Sequence, residues 1–115
     1  VVVLNGRSEE VAHQASYRGS FDVVTAKAVA NLSTLVELAL PLLKIQGLLL
    51  AYKGPRAGQE IEEAARALEL LRGEVRVAKE YRLFDKSYRL IEVRKMAASP
   101  SRYPRRPGQP AKHPL

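Results

Sequence analysis

Apolar runs too short to be helices alternate with helix-patterned segments along most of this chain, and that alternation admits few folds. Val1-Val2-Val3-Leu4 is a run of strand type closed by the turn signal Asn5-Gly6, and Ser8 with Glu9 and Glu10 supplies the cap and acidic first turn of a short helix. Phe21–Ala26 (FDVVTA) is a second run, rich in β-branched residues. Asn31 to Thr34 then offer capping side chains ahead of Leu35, Val36, Leu38, Ala39, Leu42 and Leu43, a helix that Pro41 must kink or restart. Gly47 is placed to close that helix in the left-handed conformation, with GLLLAY as a third buried strand. A second amphipathic helix is predicted over 59–72, with Ile61, Ala64, Ala65, Leu68 and Leu71 on one face and Gly73 as its stop. Beyond it Val75, Val77, Tyr81 and Leu83 alternate with charged residues. Phe84-Asp85-Lys86-Ser87 then turns the chain into YRLIEVRKM, which implies an antiparallel pair. The order β-α-β-α-β-α-β-β predicts an α/β fold: a mostly parallel sheet flanked by helices, with an antiparallel edge hairpin.

The last residues depart from this pattern. Ser99 to Leu115 hold five of the seven prolines and four cations, Arg102, Arg105, Arg106 and Lys112, with no acid. So many fixed φ angles and missing N–H groups predict an extended, polyproline-like basic C-terminal arm (99–115) after a folded body (1–98). The arm accounts for four of the seven net positive charges, so the basic excess is local. Arginines on an extended strand can follow a nucleic-acid backbone, and Tyr103 offers a ring for stacking on a base. A solubilising, disordered terminus has the same composition.

With no cysteine and two isolated histidines, His13 and His113, neither a disulfide framework nor a metal site is expected. The apolar stretch from Leu38 to Tyr52 is interrupted by Pro41, Lys44, Gln46 and Gly47, so it cannot span a bilayer, and a cytoplasmic protein without a membrane role is expected. Val1 opens directly on a strand-type run without an initiator Met, which reads as a start in mid-fold.

In an open α/β sheet ligands bind just past the carboxyl ends of the strands. The segments that follow the first three runs are polar: Asn5-Gly6-Arg7-Ser8-Glu9, then Thr25-Ala26-Lys27-Ala28, then Tyr52-Lys53-Gly54-Pro55-Arg56. Each has a plain reading too, as a capped helix, a solvent-facing lysine and a basic loop. Taken together they set Glu9, Lys27 and Lys53 along one crevice. No nucleophile elbow, HExxH helix, P-loop or Cys/His pair is present, and the GxGxxG turn is missing, so the phosphate- or ribose-binding first strand that a nucleotide-like cofactor needs is not in these residues. A Rossmann oxidoreductase reading is weakened because it gives the basic arm no role.

The succession GRSEE, FDVVTAKAVANLSTLVELALPLLKIQG, LLAYKG and RYPRRPGQPAKHPL resembles the C-terminal half of the bacterial ribosomal RNA small subunit methyltransferase G family, also called glucose-inhibited division protein B. The resemblance implies a partial Rossmann-like class I methyltransferase fold. It also implies transfer of a methyl group from S-adenosyl-L-methionine to guanine N7 of small-subunit ribosomal RNA. Ser8 and Glu9 match a pair that contacts the adenosyl moiety, Lys27 matches a cofactor-binding arginine, and Lys53-Gly54 matches a Lys-Gly beside the target base. Lys27 keeps the charge of the arginine but not its planar fork. The family's N-terminal helices, Gly-rich cofactor loop and ribose-binding acid have no counterpart in these residues, so the chain is expected to be an inactive fragment on its own. Residues expected to meet RNA are Lys53, Arg102, Tyr103, Arg105, Arg106 and Lys112. Catalytic residues stay unassigned: N7 carries a lone pair and no proton, so the resemblance requires no nucleophilic residue. The competing expectation is a non-catalytic RNA-binding module that works through the basic arm.

Overall fold

The computed structural model describes residues 2–3, 17–26 and 31–115, the first two through their backbone pairing. Five strands form one sheet: β1 (Val2–Val3), β2 (Phe21–Ala26), β3 (Leu43–Lys53), β4 (Gly73–Leu83) and β5 (Lys86–Lys95), in the spatial order β1-β2-β3-β5-β4. The first three pair in parallel, β5 runs antiparallel to β3, and β4 closes the edge antiparallel to β5. A mostly parallel sheet with an antiparallel edge hairpin is what the alternation of runs predicts. The short helix expected around Ser8 lies outside the described residues.

Helix α1 (Leu32–Ala39) starts where Asn31 caps it, its Oδ1 accepting the Thr34 N–H at 2.9 Å. All eight of its residues are buried, Glu37 included. Pro41 ends the helix as expected, inside a 3₁₀ turn (Leu40–Leu42) that feeds straight into β3. Strand β3 therefore begins four residues before Gly47, and Gly47 is not a left-handed helix stop. Phe21 pairs with Leu43 and Val23 with Leu48, so residues 44–47 form a bulge within the strand, with Gln46 at φ 75°. A Cβ on Gly47 would lie 2.9 Å from the Lys44 carbonyl and 3.0 Å from that of Asp22, so glycine is needed here for close backbone approach.

The expected second helix is two short ones, α2 (Ala57–Glu63) and α3 (Ala65–Leu71), meeting at the fully buried Ala64. Arg72 rather than Gly73 takes the left-handed cap, at φ 61°. Gly73 instead opens β4, where a Cβ would meet Val93 Cγ1 at 2.9 Å and Leu40 Cδ2 at 3.0 Å. The core lies between the helices and one sheet face, built from Leu32, Leu35, Val36, Leu40, Leu49, Leu71, Ile91 and Val93.

Residues 99–115 are not the extended arm expected from their prolines. They fold back along α1 and end in a short helical turn, α4 (Gln109–Lys112). The Arg18 guanidinium donates to the carbonyls of Tyr103 (2.7 Å) and Pro100 (3.0 Å). Thr34 Oγ1 donates to the Pro110 carbonyl at 2.8 Å. Tyr103 is 5 % exposed and Leu115 packs against the core. The physical reason is that the body supplies what the segment lacks, namely apolar cover and the carboxylate of Glu37.

Candidate functional site

Because β1, β2 and β3 are parallel, their carboxyl ends share one edge of the sheet: Val3 pairs with Thr25, and Ala26 with Ala51, two residues before Lys53. Ser8, Glu9 and Lys27, the sequence candidates for this edge, lie outside the described residues. Lys27 is next in sequence to Ala26, the last residue of β2.

Lys53 is described, and it is not a solvated loop lysine. Its side chain is 3 % exposed, and its ammonium is 3.0 Å from Glu60 Oε1 on α2. The same Glu60 oxygen accepts the Leu32 N–H, the first of α1, at 3.1 Å. One carboxylate thus ties the end of β3, the start of α1 and α2 together. Glu60 stabilises the helix start by facing its unpaired N–H groups with negative charge. Glu60 escaped the sequence reading because it sits in the acidic first turn that any helix can carry.

Along α1 the basic segment divides its residues between two uses. The Glu37 carboxylate, fully buried, accepts the Arg105 backbone N–H at 2.7 Å and the Arg105 side chain through Nε (3.0 Å) and Nη2 (2.8 Å). That hydrogen bonding raises Arg105 above its already high ordinary pKa. Arg105 Nη2 also donates to the His113 carbonyl at 2.6 Å, fastening the end of the segment to its middle. Tyr103, expected to stack on a base, is buried, and Arg102 lies over its ring at 5.0 Å from the centroid. Arg102, Arg106 and Lys112 remain exposed. A signal for Glu37 stood in the sequence: one acid inside the apolar run LVELAL, the single charge on this helix, demands a cation from elsewhere in the chain.

The segment also has a direction. Its first residues are held by Arg18, just before β2 begins, and Pro110 lies on the first turn of α1, whose Leu32 N–H meets Glu60. It therefore runs toward the strand-end edge. Away from that edge, Lys95 is 4 % exposed and donates to the Leu43 carbonyl at 2.7 Å. Burial, with Arg18 nearby, lowers its pKa to about 8.

Among the described residues no helix is long and apolar enough to cross a membrane. Comparison with known proteins gives a consistent outcome. The family model described as "GidB: rRNA small subunit methyltransferase G" matches residues 1–88. The chain is 45% identical over 117 residues to the ribosomal RNA small subunit methyltransferase G of Lactobacillus delbrueckii subsp. bulgaricus, covering 100% of this chain and 49% of that protein. The protein of the same name from Geobacillus kaustophilus is 44% identical with the same coverage, and that of Streptococcus pyogenes serotype M5 is 46% identical over 96% of this chain and 47% of its own length. The chain thus spans about half the length of the relatives it matches. A solved structure, the T. Thermophilus 16S rRNA N2 G1207 methyltransferase (RsmC) in complex with AdoMet and guanosine, superposes with a TM-score of 0.51 at 21% identity, over 72% of this chain and 22% of that one. At that identity the likeness concerns the fold, which is a partial Rossmann-like class I methyltransferase fold. By the match over residues 1–88, the chain belongs to the rRNA small subunit methyltransferase G family.

Proposed function

We propose that the full-length protein carrying this sequence transfers a methyl group from S-adenosyl-L-methionine to N7 of a guanine in small-subunit ribosomal RNA. Family membership over residues 1–88 is the observation that carries this reading. S-adenosyl-L-methionine, when bound, supplies a methyl group activated by a sulfonium. The donor set at the strand-end edge suits such a cation: Lys53 is charge-balanced by Glu60, so the edge does not present a bare ammonium to it. Ser8 and Glu9 are proposed to hold the adenosyl end by accepting and donating hydrogen bonds, with Lys27 as a third contact on the neighbouring strand end.

Guanine N7 has a lone pair and no proton to lose, so the residues of this chain need transfer none. Their work is placement, which can lower a barrier by several kcal/mol when reacting atoms are held in line. Lys53, fixed by Glu60 at the end of β3, is proposed to border the position of the target base. Arg102, Arg106 and Lys112, exposed on the segment that runs toward this edge, are proposed to meet RNA phosphates. Arg105 and Tyr103 are proposed to act on RNA only through holding that segment in place.

The test is methylation of small-subunit rRNA by the full-length protein with labelled cofactor, the modified base being located by chemical cleavage at N7-methylguanine. Glu9→Ala and Lys27→Ala should each raise KM for the cofactor at least several-fold, with little change in KM for RNA. Label at another guanine atom, or in no guanine, refutes the proposal. Calorimetry of this chain alone against S-adenosyl-L-methionine should show weak or no binding, and affinity equal to that of the full-length protein would refute the expected division of the cofactor site.

A further inference from the structure

The hairpin of β4 and β5 extends past the strand-end edge. The last pairing of β3 with β5 is Lys53 with Arg89, yet β5 continues to pair with β4 through Tyr88–Tyr81, Ser87–Arg82 and Lys86–Leu83. A two-stranded ribbon of three residue pairs therefore projects roughly 10 Å beyond the end of β3. Its tip is a two-residue turn with Phe84 at φ 51° and Asp85 at φ 62°. That conformation favours Asn or Gly, and a bulky aromatic residue adopts it at a cost. Among the described residues Phe84 is also 88 % exposed, so its ring gains nothing there by burial.

The rings are arranged as well as exposed. Tyr81 and Tyr88 stack across the strands at 5.5 Å between centroids, with 18° between planes. Tyr52 pairs with Leu90, two residues from Tyr88 along β5, so Tyr52, Tyr88 and Tyr81 share one sheet face. Tyr52, next to Lys53, is itself 44 % exposed. The rings lead from the edge toward the tip. From 79 to 89 the ribbon carries Lys79, Arg82, Lys86 and Arg89 against Glu80 and Asp85, an excess of positive charge. Aromatic faces interleaved with cations form a surface suited to unstacked bases and the phosphates between them.

We propose that this hairpin is an RNA-docking finger: Phe84 and the Tyr52–Tyr88–Tyr81 face stack on bases of single-stranded rRNA, and Lys79 and Lys86 meet the adjoining phosphates. The inference rests on the methyltransferase reading only for the identity of the RNA. It adds a substrate surface that starts at Tyr52 on the strand-end edge and continues along the hairpin, apart from the basic C-terminal segment.

Phe84→Asn tests it, because Asn suits the turn and removes the ring. In the full-length protein thermal stability should hold or rise, while affinity for small-subunit rRNA, and for a short single-stranded oligoribonucleotide read by fluorescence anisotropy, should fall at least about fivefold. KM for S-adenosyl-L-methionine should stay unchanged. Phe84→Tyr should retain binding. Unchanged RNA affinity in Phe84→Asn overturns the proposal. So does a wild-type dimer in sedimentation that becomes monomeric in the variant without loss of RNA affinity, since the occupant is then a second copy. If wild-type protein binds RNA through this ring but methylates no guanine, the finger stands and the methyltransferase reading fails.

Discussion

Replacing Arg105 with alanine isolates what holds the basic segment to the body. The substitution leaves Glu37, fully buried on α1, without three of its hydrogen-bonding contacts, those from Nε to both carboxylate oxygens and from Nη2, while the backbone N–H contact can persist. Removing one partner of a buried ion pair costs roughly 3–5 kcal/mol. Because the Arg105 side chain is itself 28% exposed and water can partly replace it, the lower end applies. For a protein of about twice this length each kcal/mol is worth roughly 2–4 °C, so melting should fall by about 6–12 °C. The assay is differential scanning calorimetry of the full-length protein, with Glu37→Leu/Arg105→Leu as control. Removing both charges leaves no stranded carboxylate, so the double variant should recover most of the loss. A melting temperature within about 1 °C of wild type for Arg105→Ala would refute the reasoning. It would mean that the segment stands away from α1 in solution and that its cations are all free for RNA.

Neutralising the exposed cations together (Arg102→Gln, Arg106→Gln, Lys112→Gln) should lower melting by no more than about 4 °C, through loss of the Arg102–Tyr103 contact, and reduce the slope of log affinity for rRNA against log salt by about two to three units, measured by filter binding across a salt series. Lys95, lowered to about 8 from the ordinary lysine value, holds fewer protons when folded than when unfolded between pH 8 and about 10.5. Stability relative to Lys95→Met should therefore rise with pH through that window, by at most about 3 kcal/mol, as read by melting at stepped pH; a falling difference contradicts the assignment. Gly73→Ala should destabilise by about 1–3 kcal/mol in denaturant titration, since its Cβ would press on Val93 and Leu40.

The order of elements was legible because each apolar run is short, β-branched and bounded by turn residues, as at FDVVTA and GLLLAY. The ends of elements were less so. Gly47 and Gly73 have the composition of helix stops, yet both are glycine because another group passes too close for a Cβ. That constraint arises between residues distant in sequence, and local pattern does not carry it. The same holds for Lys53: a Lys-Gly-Pro-Arg loop reads as solvated, and only the return of α2 puts Glu60 against it. Lys53 does lie at the carboxyl end of β3, as its loop position implies, but its burial and its pairing with Glu60 depend on that return and are not written in the local pattern.

The prolines at the C-terminus misled for a related reason. Proline excludes regular helix and sheet interiors, but it does not exclude packing. A segment without N–H donors at five positions has fewer groups to satisfy when laid against a surface. Here Tyr103, Pro104 and Pro110 are buried while the carbonyls of Tyr103, Pro100 and Pro110 accept from Arg18 and Thr34. Packing commits Arg105 to Glu37 and leaves Arg102, Arg106 and Lys112 facing solvent, so the segment can be both fastening and contact surface, with different residues for each. The hairpin tip shows the opposite economy. Phe84 occupies a conformation that disfavours it and stays in water, whereas the segment's one aromatic ring is buried. If rRNA meets aromatic side chains of this chain, the exposed Phe84 at the hairpin tip, with the Tyr52–Tyr88–Tyr81 face behind it, is positioned to receive its bases.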